Sequence, residues 1–573
     1  MKHALPRSRY RSVSPLTVLS VLVAALIALP VLAVVLQAVQ PAGAVWAHLA
    51  STVLPRYLVN TAWLMVGVGG GVLLIGVGAA WLVAMCRFPG RGVWEWALLL
   101  PLAVPTYVIA YAYTDFLQYA GPLQSALREL FGWQRGDYWF PPIRSLGGAI
   151  VVMTLVLYPY VYLLARAAFL EQSTRVLEVG RTLGRGPWRL FGSVALPLAR
   201  PAIAGGAALA LMETLNDFGA VQHFGVDTFT TGIYRTWFGL GEARAAGQLA
   251  SLLLAFVVVL VLLERLSRGQ ARFYQTAGRY HELPRYPLTG ARAGLAVLAC
   301  ALPVTLGFLL PATLLAEMAI TAGDPLLGTR FLELATNSLT LATAAGVLAV
   351  ALALLIGYSL RFAAGRVTAS AARVAAMGYA IPGSVIAVGV LQPLGAVDRY
   401  LNAAWPEWLG PAPGLVLSGT VVALVYAYLV RFLAVSLNTV EASLEKITPS
   451  MDGVARTLGF GPARTLARVH LPLTRSSLLA AGILVFVDVM KELPATVILR
   501  PFDFDTLAVR AYELASDERL SQASTASLAI VAVGIVPVIL LCRAMVRTRR
   551  AQTAAASAGN TNTCDSSSAS STH

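Results

Sequence analysis

Two pairs of carboxylates stand in surroundings that are almost wholly apolar. Glu213 and Asp217 are four residues apart in LMETLNDFG, and Asp488 and Glu492 are four apart in FVDVMKELP. At that spacing each pair falls on one face of a helix. Asn216 accompanies the first pair as Lys491 accompanies the second. Ionisable groups inside a bilayer are costly and often mark an ion path or a proton relay. Glu213, Asn216, Asp217, Asp488, Lys491 and Glu492 are therefore candidates for a path or its gate, where carboxylates would draw a cation. The competing reading is a structural ion pair, Lys491 with Asp488, Glu492 or a carboxylate of the other half.

Little else in the sequence could do chemistry. The six histidines, His3, His48, His223, His281, His470 and His573, form no HExxH, and no GxSxG occurs. Cys86, Cys300, Cys542 and Cys564 are widely separated, with neither a disulfide framework nor zinc spacing, so no metal is assigned. Tyr158, Tyr160 and Tyr162, with Tyr426 and Tyr428, read as packing residues whose hydroxyls neighbouring helices satisfy. A P-loop needs a lysine after a glycine-rich turn. The only lysines, Lys2, Lys446 and Lys491, lack that context. The chain reads as non-enzymatic and as binding no nucleotide or other cofactor.

Behind these residues stands a membrane architecture. The 573 residues are 57% hydrophobic and 12% charged, with a mean hydropathy of +0.70; soluble domains carry about 25% charged residues. A spanning helix needs about 20 mostly apolar residues. Candidate spans are 15–40, 57–86, 94–117, 146–169, 201–221, 246–264, 292–318, 334–360, 370–394, 413–436, 477–498 and 523–545. The basic start followed by a long apolar stretch reads as an uncleaved anchor. The net charge of +15 would suit nucleic acid in a soluble protein. Here most of the basic residues fall at the two termini and in alternate loops, which excludes that reading and places both termini in the cytoplasm.

The chain is an internal duplication. Asn60-Thr61 recurs as Asn337-Ser338, and VPTYVIA at 104–110 recurs as IPGSVIA at 381–387, with the same offset for both. LGRGPWRLFGSVALPLAR at 183–200 recurs as LGFGPARTLARVHLPLTR at 458–475, at almost that offset. The copies run in the same direction, so they are parallel repeats of like topology. Residues 1–265 form a first half with its loop at 171–201. Residues 266–291 form a cytoplasmic linker, 292–546 a second half with its loop at 446–476, and 547–573 a disordered tail rich in Ser, Thr and Ala. The fold class is all-α and polytopic, about twelve spans in two homologous halves.

The repeated loops, EVGRTLGRGPWRLFGSVALPLARP and GVARTLGFGPARTLARVHLPLTRS, look like docking elements. Gly184 and Gly459 can adopt positive φ and admit a partner's surface. Pro187 and Pro462 suit the first turn of a short helix. Pro197 and Pro472 would end that helix before the chain re-enters the membrane. Two equivalent loops imply two equivalent docking partners.

These loops resemble the EAA loop of permeases of ABC-type importers, usually close to EAA-x3-G-x9-I-x-LP. The glycines and the Leu-Pro match. The start departs, with Glu178-Val179-Gly180 in one copy and Gly453-Val454-Ala455 in the other, unless Asp452 supplies the acid. The resemblance implies a type I importer permease with two coupling loops. Their residues are Glu178, Gly180, Arg181, Leu183, Gly184, Pro187 and Pro197, and then Ala455, Arg456, Leu458, Gly459, Pro462 and Pro472. It also implies two copies of a cytoplasmic ATPase that hold ATP and Mg, an extracytoplasmic (periplasmic) substrate-binding protein, an inner-membrane location, and alternating access. Segments 157–173, 211–241 and 486–520 look most like fused ferric-iron permeases. Thiamine, phosphonate, polyamine and sulfate permeases are alternatives, and a secondary transporter is a more remote one.

Overall fold

The computed structural model describes residues 15–41, 44–171, 187–268, 285–322, 328–363, 365–406, 408, 410–540 and 543. Most of the linker and the tail expected at 547–573 lie outside them. Among the described residues, ten helices are long and apolar enough to cross a membrane, and two further bent pairs would make twelve.

The bent pairs replace two expected continuous spans, 94–117 and 370–394. Arg91–Ala103 and Thr106–Phe131 meet at 91°, and Arg366–Ala380 and Gly383–Ala403 at 119°. The cause lies in the repeated motif. Pro105 and Pro382 have no N–H, and each forces its predecessor out of helical geometry. Val104 and Ile381 are accordingly extended, with ψ of 121° and 124°. Each proline then opens the next helix, with ψ of 144° and 142°.

Two other prolines do not act as expected. Pro197 and Pro472 do not end a helix. Each is the second residue of a long one, Leu196–Asn216 and Leu471–Met490, entered directly from a π-helical turn. Those turns are Phe191–Ala195 and Leu466–His470. A proline ring clashes with the carbonyl four residues earlier. In both copies that residue, Ser193 or Arg468, sits in the wider turn, where the ring has room. The chain thus enters the membrane without interruption from Pro462 to Met490.

The chain forms two compact units that partition it differently from the sequence halves. One comprises Met1–Val39, Leu339–Val489 and Leu499–Phe502. Within it the first helix, Pro15–Ala38, packs on the bent pair Arg366–Ala375 and Gly383–Ala403. Pro30 lies inside that helix and leaves the Leu26 carbonyl without its usual N–H donor. The Tyr426 hydroxyl donates to that carbonyl at 2.5 Å. Gln37 and Gln392 share a side-chain hydrogen bond further along the same helix. Gly389 lies so close that a Cβ there would collide with the Pro30 carbonyl oxygen.

The other unit comprises Gln40–Ser338, Met490–Ile498 and Asp503–His573. Its largest seam joins Leu54–Met85 to Leu146–Glu171. Gly67, Gly71 and Gly76 let the second helix approach, meeting Ile150, Thr154 and Val161. Tyr162 and Tyr158 are fully buried there. The Tyr162 hydroxyl donates to the Glu95 carbonyl at 2.8 Å, as a packing tyrosine should, whereas that of Tyr158 has no partner. The Glu95 carboxylate pairs with Arg166 and, at 3.6 Å, with Arg91. The end of the linker pairs in parallel with the end of the first seam helix, Tyr286 and Pro287 against Cys86 and Arg87.

Replacing Gly389 by valine should expel the first helix from its groove. Overpacking of this kind costs about 1–3 kcal/mol. The measurement is the Tm of the detergent-solubilised protein, which should fall. Gly92→Ala, at a glycine with open space around it, should leave it unchanged. Equal Tm values for the two variants would contradict the packing described.

Candidate docking loop and helix-break carboxylates

The second docking loop is described throughout. The short helix Pro449–Thr457 ends at Leu458 and is closed by Gly459 at φ 76°. The Gly459 N–H donates to the Arg456 carbonyl at 2.9 Å and the Phe460 N–H to that of Ala455 at 2.9 Å. This is a Schellman closure, which requires the left-handed conformation that glycine adopts freely. Gly461 then caps the helix that begins at Pro462. The separate short helix is therefore Pro449–Thr457, upstream of the expected Pro462–Pro472 segment, which is instead the start of a span.

Asp452 holds this helix down. Its carboxylate pairs with Arg361 at 2.8 Å and with His470 Nε2 at 2.8 Å. Arg361 also donates to the carbonyls of Leu444 and Ile447 at 2.7 and 2.9 Å. The Tyr358 hydroxyl donates to the Pro462 carbonyl at 3.0 Å. Ala455 is buried on the same side. Gly453, at the position of Glu178 in the first copy, faces open space, so the acid one residue earlier makes the anchoring contacts. The outward side is apolar. Met451, Val454 and Leu458, spaced three and four apart, are 44%, 59% and 66% exposed. Arg456 lies 5.9 Å from the Phe362 ring.

In the first copy, Glu178, Gly180, Arg181, Leu183 and Gly184 lie outside the described residues. Pro187 opens the helix Pro187–Leu190, as Pro462 does in the second copy. An aromatic group of Trp81, Phe169 and Phe191 stands beneath it, Trp81 being 4.8 Å from Phe191. Trp81 and Tyr358 occupy equivalent positions in the two copies.

The intramembrane charges sit at helix ends, not on a continuous helical face. Leu196–Asn216 stops at Asn216, and Asp217 is extended with ψ 132°. Leu471–Met490 stops before Lys491. Asp217 Oδ1 accepts from the Ala220 and Val221 N–H groups at 3.0 and 3.2 Å. Glu492 Oε1 accepts from the Ala495 N–H at 2.9 Å and Oε2 from the Thr496 N–H at 3.0 Å. The two carboxylates, which correspond to one another in the duplication, thus cap equivalent short helices, Gly219–His223 and Pro494–Leu499. Each is also held by a hydroxyl, Thr106 for Asp217 and Thr496 at 2.6 Å for Glu492. Asp217, Glu492 and Asn216 are buried, while Glu213 and Lys491 are half-buried, as is Asp488.

The sequence reading treated 201–221 and 477–498 as unbroken and missed Thr106, Thr496 and Arg361. Pro494 two residues after Glu492 was the available signal of a new helix start. Nothing local marks Arg361, which lies 91 residues from Asp452. The duplication extends to the far ends of these elements. The Asn60 amide donates to the Asp227 carbonyl at 2.9 Å, and the Asn337 amide to the Asp505 carbonyl at 3.2 Å.

Removing one partner of a largely buried ion pair costs about 3–5 kcal/mol. Asp452→Ala should therefore loosen Pro449–Thr457 and speed tryptic cleavage at Arg456 and Arg464 by at least about tenfold, each 1.4 kcal/mol being a factor of ten. Unaltered cleavage rates, read by mass spectrometry, would rule out the anchoring role.

Comparison with known proteins agrees with this architecture. Residues 72–272 match the model of the binding-protein-dependent transport system inner membrane component. The chain is 27% identical over 495 residues to the Fe(3+)-transport system permease protein FbpB 2 of Haemophilus influenzae, covering 84% of this chain and 89% of that one. The molybdenum transport system permease protein ModB of Escherichia coli is 28% identical over 35% of this chain and 88% of its own. The putative 2-aminoethylphosphonate transport system permease protein PhnU of Salmonella paratyphi A is 31% identical over 30% of this chain and 60% of its own. Residues 72–272 are thus similar to the binding-protein-dependent transport system inner membrane components, and likeness to one ferric permease runs through both halves, which share the same broken helices.

Proposed function

We propose that this chain carries ferric iron from an extracytoplasmic binding protein into the cytoplasm, driven by ATP hydrolysis in two copies of a partner ATPase. The observation that carries this reading is the alignment with a ferric permease over nearly the full length of both chains. The molybdenum and 2-aminoethylphosphonate relatives match about a third of this chain.

The two loops are the places where the ATPases grip, with both chain termini on that same cytoplasmic side. The exposed apolar stripe of Met451, Val454 and Leu458 supports this, because an amphipathic helix presents such a face to a groove. Glu178, Gly180, Arg181, Leu183 and Gly184 form the equivalent grip in the first half. ATP and Mg belong to the partner. Closure of the ATPases draws the loops together and opens the permease outward, and hydrolysis returns it. The shift requires each partner to bind the two states with different affinity.

Glu213, Asn216, Asp217, Asp488, Lys491 and Glu492 line the path or its gate. Asp217 and Glu492 also cap helices, so charge and cap can be tested apart. An asparagine at 217 still accepts both capping N–H groups through one oxygen but carries no charge, whereas at 492 the two N–H groups bond different oxygens and a glutamine keeps only one of them.

The principal test is uptake of radiolabelled ferric ion by proteoliposomes holding the chain, its ATPase and its binding protein. ATP-dependent ferric uptake is expected. Uptake of molybdate, 2-aminoethylphosphonate, thiamine, a polyamine or sulfate in its place would overturn the cargo assignment. Asp217→Asn should keep the wild-type Tm and Glu492→Gln should lower it, and each, compared at equal membrane abundance, should lower uptake about tenfold, the cost of roughly 1.4 kcal/mol in a transport step; unimpaired uptake by both would remove them from the path. Gly184→Trp with Gly459→Trp should abolish co-purification of the ATPase. Its retention would show that the loops are not the grip.

A further inference from the structure

The duplication separates what both halves need from what one half has acquired. Both copies keep the proline break and the capping carboxylate, Pro105 with Asp217 and Pro382 with Glu492. The residues beside them differ. Tyr107 and Tyr111 in the first copy correspond to Ser384 and Val388, and His223 corresponds to Ile498. The shared residues build the break, so the unshared ones are free to specialise.

Those three unshared side chains form one group. The Tyr107 and Tyr111 rings are 5.8 Å apart, and Tyr111 meets His223 edge-on at 4.8 Å. Gly219, two residues after Asp217, sits against them. A Cβ there would lie 2.6 Å from the Tyr107 Cβ and 2.7 Å from Leu493, the neighbour of Glu492. Thr106, the residue before Tyr107, holds the Asp217 carboxylate, and Glu492 directly precedes Leu493. Tyr107 and Tyr111 are only 4% and 2% exposed, yet among the described residues neither hydroxyl has a hydrogen-bond partner, nor does His223 Nε2. Leaving one buried donor unsatisfied costs about 1–3 kcal/mol. Phenylalanine would fill the same space without that cost. Two buried, unsatisfied phenols near these carboxylates therefore form a donor set open to a ligand.

We propose that Tyr107 and Tyr111, with the carboxylates of Asp217 and Glu492, form a transient binding position for a hard trivalent cation on the translocation path. This rests on the ferric reading above. Phenolate and carboxylate oxygens are hard donors that suit such a cation. As each Fe–O bond to a phenolate forms, the phenol O–H breaks and its proton passes to a hydroxide ligand of the hydrolysed ion, which leaves as water. The iron stays ferric and no electron moves. Among the described residues no three His, Cys, Asp or Glu side chains converge as a metal site. A waypoint suits that arrangement, since conduction needs binding weak enough to release.

The test uses the full chain with its ATPase and binding protein in proteoliposomes. Tyr107→Phe and Tyr111→Phe each remove only an unsatisfied hydroxyl and should leave membrane abundance unchanged and Tm no lower than that of the wild type. Each should lower ferric uptake by about 10–100-fold, the usual loss when a metal-binding shell is disturbed. Binding-protein-stimulated ATP hydrolysis should persist. Tyr158→Phe, at an equally buried and unpartnered phenol in the helix seam, should transport normally. Ferric ion added to the wild-type chain should give a phenolate-to-iron charge-transfer band that the Tyr107→Phe, Tyr111→Phe double variant lacks. If the wild type carries no iron, the cargo assignment fails. If it carries iron and both variants match it, or if uptake and ATP hydrolysis fall together, the waypoint is refuted and the cargo assignment stands.

Discussion

Every backbone N–H and C=O inside a bilayer must find a partner within the protein. That constraint governs each departure from straight helices here. Four breaks interrupt the apolar segments, at Val104-Pro105, Asn216-Asp217, Ile381-Pro382 and Met490-Lys491. At two of them a buried carboxylate takes up the N–H groups of the following turn. Where Pro30 leaves the Leu26 carbonyl without its helical donor, Tyr426 supplies one.

The same logic explains why the charges are where they are. A carboxylate in hydrocarbon is expensive unless fixed dipoles and donors surround it. Asp217 and Glu492 receive two backbone N–H groups and a hydroxyl each. The protein therefore holds polar acceptors at depth with donors already fixed around them. A passing cation would meet charge that is already organised, which is how fixed electrostatics lower a barrier.

The second repeated loop solves a different problem. A helix of nine residues is not stable in isolation. Asp452 ties it to Arg361 and His470, and the Schellman turn at Gly459 closes it. Its apolar stripe is left facing outward. A turn of four residues, Leu458 to Gly461, joins this anchored helix to the one that starts at Pro462 and runs on as a span.

Much of this was legible in the residues alone. Hydropathy gives the number of spans, and the nearly constant offset between matched motifs gives the parallel repeat, because lipid imposes length and duplication preserves spacing. The glycine at 459 and the proline at 462 act as their backbone chemistry requires. Other features needed the third dimension. Pro197 and Pro472 read as helix ends until the π turns before them are seen. The pairing of Asp452 with Arg361, the seat of the first helix against residues 366–403, and the gathering of Tyr107, Tyr111 and His223 around Gly219 all join residues far apart in the chain. Local sequence sets which conformations a segment can adopt. Which distant side chain completes a hydrogen bond, or is left without one, depends on how the helices pack, and no window of sequence contains that information.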